Sequence, residues 1–278
     1  MFVQSDWLNQ HLTDESIRIL DCRFYLYDPS AGKKAYEENH IPGAQFIDIE
    51  KDLSSPVSTH GGRHPLPDPN KLANLLGHLG INEKHHIIVY DDQKGAMAGR
   101  CWWVLTYIGH PHVQILDGGY SDWKKQNYPI NNQKPIYPHT SFIPKLQQDM
   151  LVDKAEVQQK RHTPNTLLID SREPARYRGE EEPIDPVAGH IPGAINFPWF
   201  EVLNDDGKWR TVNELQQHFQ KVDPDQEIIV YCGSGITATP NFIALQQAGY
   251  KKVKLYAGSW SDWITDPNAP IAKGEEPK

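Results

Sequence analysis

Residues 227–249 read EIIVYCGSGITATPNFIALQQAG. A β-branched apolar run ends at Tyr231, a cysteine follows, Gly-Ser-Gly turns the chain, and an apolar period of 3.6 residues begins. That order is a strand handing over to a helix, the unit from which parallel sheets covered by helices are built. It puts Cys232 at the carboxyl edge of the sheet, where α/β proteins place their sites.

Outward from this stretch, the sequence repeats itself. LDCR at residues 20–23 answers IDSR at 169–172, and HIPGA occurs at 40–44 and at 190–194. IIVY occurs at 87–90 and 228–231, SDW at 121–123 and 261–263. The offsets are 149, 150, 141 and 140. Four strings in one order at so long a period mean two copies of a domain, not a solenoid of short repeats. In each copy, strand-like runs (RILDCR, HHIIVYDD, VQILDGG; TLLIDSR, EIIVYCG, KVKLYAGS) alternate with helical ones (NKLANLLGHLG, MAGRCWWVLTYIG; VNELQQHFQKV, TATPNFIALQQAG). The expected fold class is α/β, with a parallel β-sheet flanked by helices in each of two tandem domains. The boundaries read as residues 1–130, a Pro-rich linker at 131–149, and residues 150–278. HIPGA reads as a tight turn before the next strand, with His40 and His190 hydrogen-bonding locally. SDW reads as a helix start, Ser or Asp capping and Trp packing.

Composition narrows the function. A length of 278 residues fits two domains of about 150 residues each. There are 28 basic and 36 acidic residues, a net charge of −8, and the pI is about 5.9. A nucleic-acid binder needs a basic footprint instead. A hydrophobic content of 38% with eight Trp supplies two modest cores. No apolar stretch approaches the roughly 18 residues of a membrane span. The start, MFVQSDWLNQHL, lacks the basic-then-apolar pattern of a secretory leader. Three cysteines without CxxC spacing exclude a disulfide scaffold and a multi-Cys zinc site. They fit a reducing cytoplasm, where a thiol serves as chemistry rather than as a staple.

Cys232 is the residue with chemistry to offer. Its glycines let backbone N–H groups turn inward, and with the helix N-terminus they form an anion cradle. A thiol held there has its thiolate favoured and is a nucleophile able to carry extra negative charge. Against this stands the ordinary fate of cysteine as a small buried hydrophobe. That fate fits Cys22, inside a strand-like run, and Cys101, beside Trp102 and Trp103. The first copy has Asp91 where the second has Cys232, so only the second copy is expected to be catalytic. A tyrosine-phosphatase loop needs an arginine six residues after the cysteine to hold a phosphoryl dianion, and Ala238 stands there. His60 with His64, or His85 with His86, lacks a third metal ligand. No GxGxxG follows a first strand.

On DCR and DSR, both HIPGA motifs, GRCWW, VYCGSGITA and both SDW motifs, the chain resembles the tandem rhodanese-domain sulfurtransferases along nearly its whole length. The resemblance implies two rhodanese folds with only the second catalytic. It implies a cysteine that takes sulfane sulfur as a persulfide and passes it to a thiophilic acceptor such as cyanide or a thiol, with no metal or organic cofactor. Thiosulfate enzymes of the family place Arg and Lys directly after the cysteine. Gly233 and Ser234 stand there instead, similar to the CGSG-[VI]-T form of 3-mercaptopyruvate sulfurtransferases. One carboxylate needs less positive charge than thiosulfate does. Loss of sulfur from mercaptopyruvate leaves an enolate that needs a proton. For this the resemblance implies a Ser–His–acid relay, matched by Ser234, by His64 in HPLP and by Glu50 in FIDIE; His60 competes with His64. The first copy has nine more residues between HIPGA and IIVY, in the region of SSPVSTHGGRHPLPDP at 54–69. Loops this long are often functional, and this surplus is expected to carry His64 across the domain interface to the second-copy cysteine.

The family binds the donor's carboxylate with arginines that follow the DSR strand. Arg176 matches the first of them. The second is expected in the loop before HIPGA, which here reads GEEEPIDPVAG, shorter than in typical members and without an arginine. Ile184 or Asp185 occupies the region, which leaves Arg178 or Arg63 as substitutes. Arg172 reads as a brace of the fold. Backbone N–H groups of Gly233, Ser234, Gly235, Ile236 and Thr237 are expected to hold the persulfide and the developing charge. Thr237 is expected to donate to the cradle or cap the helix. Expected partners are a small anionic sulfur donor and a thiol acceptor, thioredoxin or a low-molecular-weight thiol, with no nucleic acid and no membrane. Two domains in one chain fit a monomer. Two alternatives stay open: thiosulfate:cyanide sulfur transfer on the same fold, and a non-catalytic rhodanese-type binding or regulatory module. The intact cysteine in a Gly-rich loop counts against the module.

Overall fold

A computed structural model of the chain describes residues 1–275. The chain divides into two compact units, and neither is contiguous in sequence. The first comprises Met1–Ser55, Leu66–Gln147 and Asp205–Trp209; the second comprises Pro56–Pro65, Gln148–Asn204 and the chain from Arg210 onward.

The first unit runs β1 (Phe2–Val3), α1 (Ser5–Gln10), β2 (Ile17–Asp21), α2 (Ala31–Glu38), β3 (Ala44–Phe46), α3 (Pro69–His78), β4 (His86–Tyr90), α4 (Ala96–Tyr107), β5 (Val113–Leu116) and α5 (Gly119–Lys125). The second repeats it as β6 (Leu151–Val152), α6 (Lys154–Lys160), β7 (Thr166–Asp170), α7 (Pro174–Arg178), β8 (Ala194–Asn196), α8 (Val212–His218), β9 (Glu227–Tyr231), α9 (Thr239–Ala248), β10 (Val253–Tyr256) and α10 (Ser259–Trp263). Each unit holds one parallel five-stranded sheet, ordered β1-β5-β4-β2-β3 and β6-β10-β9-β7-β8. The central strands β2, β4 and β9 are apolar almost throughout because helices bury both faces of a parallel sheet. Ile19, Ile88 and Trp123 anchor one core; Leu168, Ile229 and Trp260 anchor the other.

Register explains the DCR and DSR motifs. Asp21 pairs with Tyr90 across β2 and β4, and Asp170 pairs with Tyr231 across β7 and β9. Arg172 turns back on Asp170 at 2.6 Å and donates to the Gly189 carbonyl at 2.7 Å. Arg23 does the same with Asp21 and the Asn39 carbonyl, both at 2.7 Å. Burial opposes the charge on Arg172, and Asp170 more than offsets it, holding the guanidinium above its usual pKa. Arg172 thus braces the strand end beside Cys232. In both HIPGA motifs the buried histidine reaches a nearby carbonyl, His40 to Tyr36 at 2.6 Å and His190 to Tyr177 at 2.8 Å, and stacks on that tyrosine's ring.

One expectation is corrected. SDW does not cap a helix: the cap positions are Gly118 and Gly258, with no side-chain capping bond, and SDW lies inside α5 and α10. In the second copy its serine and aspartate bind Arg63 and Gly61 instead, and in the first Asp122 accepts from Ser5. The Pro-rich stretch is an ordered segment, and residues up to Gln147 group with the first unit. Thr140 donates its N–H to Gly77 and its hydroxyl to Ile81, and the Tyr137 ring lies under the Arg18 guanidinium.

Candidate active site

Cys232 is 1% exposed and sits directly after β9. Its sulfur accepts the Gly235 N–H at 3.2 Å. Gly235 has φ +76°, and a Cβ there would lie 2.2 Å from the Ala257 carbonyl oxygen, so no other residue closes this turn. The N–H groups of Gly233, Ser234, Ile236, Thr237 and Ala238 have no acceptor among the described residues.

The first unit shows what such a loop holds. Asp91 Oδ1 accepts from Gln93 and Gly95, and Oδ2 from Met97 and Ala98, at 2.8–2.9 Å. The carboxylate fills its own cradle. By the repeat offset, those donors correspond to Ser234, Ile236, Ala238 and Thr239. The first three are without acceptors, while Thr239 donates to the Ile236 carbonyl at 3.0 Å. Replacing a carboxylate with a thiol leaves amides for an anion that grows from the sulfur.

Residues 56–65 belong to the second unit. His64 is buried, and its Nδ1 lies 2.9 Å from Ser234 Oγ. His60 is exposed, and Ser58 donates to its carbonyl oxygen. Of the two, His64 is the one in contact with the cysteine loop. What holds this segment is the second SDW motif: Ser261 Oγ accepts the Arg63 N–H at 3.1 Å and Asp262 Oδ1 accepts the Gly61 N–H at 2.9 Å. Gly62 has φ +71°, and a Cβ there would meet the Gly258 oxygen at 2.4 Å. Close approach to the start of α10 explains the Gly-Gly of HGGRH.

Arg176 and Arg63 flank the loop. A Cβ at Gly233 would be 3.0 Å from Arg63 Nη2 and 3.4 Å from Arg176 Nη2. Arg176 is clamped by Glu182 at 2.7 Å and reaches Asp185 at 3.3 Å. Arg63 Nη1 is paired with Asp185, while its buried Nε has no partner. Burial lowers the pKa of the Arg63 guanidinium, with Cys232 pulling the other way and Arg176 adding to the fall.

Other expected residues stand elsewhere. Arg178 is bound to Glu180 at 2.7 Å and to Glu275 at 3.5 Å and is absent from the groups around Gly233. Thr237 caps nothing: the cap of α9 is Ala238, without a side-chain bond. Glu50 belongs to the first unit, exposed in the turn after β3, with its N–H on Asp48. Cys22 and Cys101 are buried; burial, reinforced by Cys101, pushes the Cys22 thiol well up.

Sequence reasoning missed Ser259. Its Oγ accepts the Cys232 N–H at 3.1 Å and donates to the Tyr256 carbonyl at 2.9 Å. It does so at φ +56°, where the repeat has Gly119 at φ +58°. A serine at a φ that favours glycine is strained, and here it holds the backbone of Cys232. Aligning the two copies and asking where glycine had been replaced would have found it.

Comparison with known proteins follows this geometry. The rhodanese-like domain matches residues 4–126 and again 153–266. The chain belongs to the rhodanese family. Its two rhodanese domains are 44% identical, over 96% of both chains, to a Pseudomonas aeruginosa protein named "Probable 3-mercaptopyruvate sulfurtransferase". Rat thiosulfate sulfurtransferase is 32% identical, covering 99% of this chain and 96% of its own. The crystal structure of the 3-mercaptopyruvate enzyme SseA from Escherichia coli superposes with a TM-score of 0.81 at 36% identity, over 94% of this chain and 98% of that one. Curated relatives of this rhodanese chain are thus sulfurtransferases of both donor types. Among the described residues no helix is long and apolar enough to cross a membrane.

Proposed function

We propose that the protein is a sulfurtransferase that moves sulfane sulfur from 3-mercaptopyruvate through a Cys232 persulfide to a thiophilic acceptor. The observation that carries the donor assignment is the 2.9 Å contact between His64 Nδ1 and Ser234 Oγ in the loop that bears the thiol. The Cys232 thiolate attacks the donor sulfur, an S–S bond forms, and the C–S bond breaks. The electron pair goes to carbon as the pyruvate enolate. The donor's thiol proton ends on that carbon, relayed through Ser234 and His64. The loop N–H groups take the charge of the persulfide, and Arg176 with Arg63 holds the donor's carboxylate. Acceptor thiolate then attacks the outer sulfur and frees Cys232.

In this reading residues 150–278, completed by the segment around His64, are catalytic. Residues 1–130 are the non-catalytic copy, and 131–149 connect the two. We place the protein in the cytoplasm, acting as a monomer and delivering sulfur to thioredoxin or a low-molecular-weight thiol. A thiosulfate reading has one observation in its favour: two guanidiniums approach Gly233 without being its sequence neighbours. Comparing kcat/KM for 3-mercaptopyruvate and thiosulfate, with cyanide as common acceptor, decides between them. We expect mercaptopyruvate to be preferred, and Cys232→Ser to abolish turnover of both. A preference for thiosulfate would leave the relay idle, and turnover by the serine variant would exclude Cys232 as the nucleophile.

A further inference from the structure

Resting on that sulfurtransferase reading, the geometry points to Asp185 as the residue that sets the charge of the donor. Its carboxylate is a built-in counter-anion on the arginine pair, and it admits monoanionic donors over dianionic ones.

Asp185 is 7% exposed. One carboxylate oxygen pairs with Arg63 Nη1, and the other reaches Arg176 Nη2 at 3.3 Å. That second oxygen would be 3.7 Å from a Cβ on Gly233, the residue next to the nucleophile. Its position is fixed from behind, because Glu182 Oε1 accepts the N–H groups of both Ile184 and Asp185 at 3.1 Å. Glu182 also binds Arg172 at 3.2 Å and Arg176 at 2.7 Å. Three guanidiniums (Arg63, Arg172, Arg176) thus face the buried carboxylates of Asp170, Glu182 and Asp185, with the half-exposed Glu173 a fourth at 3.7 Å from Arg176, and the group carries no excess positive charge.

What remains for a ligand is direction rather than field. Arg63 Nε and Nη2 have no acceptor among the described residues, and they can bond one oxyanion. A monoanion satisfies them. A dianion brings a second charge against Asp185 with no cation left to meet it. In a partly open site a unit charge at near-contact range is worth roughly tenfold in affinity. Removing the Asp185 charge therefore helps a donor once for each charge it carries.

The experiment compares Asp185→Asn with the parent protein using three donors and cyanide. Thiosulfate is a dianion. Methanethiosulfonate is a monoanion that gives up sulfur by the same cleavage, leaving a sulfinate. 3-Mercaptopyruvate is a monoanion of different chemistry. The expected gains in kcat/KM are about hundredfold for thiosulfate and about tenfold for both monoanions, following charge and not leaving group. Equal gains for all three donors, or a common loss, would overturn the proposal and make Asp185 a prop for the arginines. A measurement on the unaltered protein stands apart from the variant's folding. Methanesulfonate must inhibit more tightly than sulfate at matched ionic strength, and the reverse order overturns the proposal. A parent protein that forms no persulfide from any donor would remove the sulfurtransferase reading itself, and the proposal with it. A parent that turns over while ignoring donor charge would remove the proposal alone.

Discussion

At the residue scale, Cys232 and Asp91 occupy one point of a repeated loop and differ in who supplies the anion. Asp91 brings its own, four N–H bonds already made; Cys232, on the proposed function, acquires its charge with the sulfur it accepts. His64 separates the two donor chemistries. Mercaptopyruvate needs a proton on carbon and thiosulfate needs none. His64→Ala should therefore lower kcat for mercaptopyruvate by about 100-fold or more and leave thiosulfate turnover within a few-fold. Equal losses in steady-state assays with both donors would show that the histidine serves only to pack its loop. Cys232 stood out from its Gly-rich loop, and Ser234 and His64 through the family resemblance; the last two lie 2.9 Å apart. Asp185 was not: one of its two arginine partners, Arg63, lies 122 positions away, and the sequence displayed only a missing arginine. Ser259 was hidden for a different reason, since its signal is a backbone angle.

The element that matters most is the strand–loop–helix turn, present twice. In the first copy the carboxylate of Asp91 ties β4 to the start of α4, where charge-assisted bonds to N–H groups are strong. Asp91→Asn offers one acceptor oxygen and sets an NH2 group against two N–H donors. The variant should lose about 3 kcal/mol of unfolding free energy, read by urea denaturation, while donor kcat/KM stays within about twofold. A neutral effect on stability would mean that the loop N–H groups find water as readily as the carboxylate. Alternation of strand and helix, with its parallel sheet, was legible because both periods persist over whole elements. The edge strands β1 and β6 were not, being two residues long each. SDW was misread because a Ser-Asp pair near a helix start looks like a cap. Its bonds to Gly61 and Arg63 span about 200 positions, and nothing local announces them.

On the scale of the whole molecule, the two copies are not two consecutive halves. Each compact unit counts a short segment from the other half of the chain: Pro56–Pro65 in the second and Asp205–Trp209 in the first. Trp209 stacks on Phe2 at 4.6 Å and donates its N–H to Asp117 at 3.0 Å, so the second segment is as firmly seated as the first. A protein cut to residues 148 onward keeps Cys232 but lacks Arg63 and His64. Thiocyanate production should fall by at least about 100-fold, and a fully active fragment would show that the Pro56–Pro65 segment contributes nothing to turnover. The exchange has a consequence for how such a chain can change over generations. A duplicated gene normally leaves two cassettes that recombination can separate, shuffle or discard. Here a crossover in the middle delivers two damaged products, each missing a segment of its own unit, so the two copies are inherited as obligate companions.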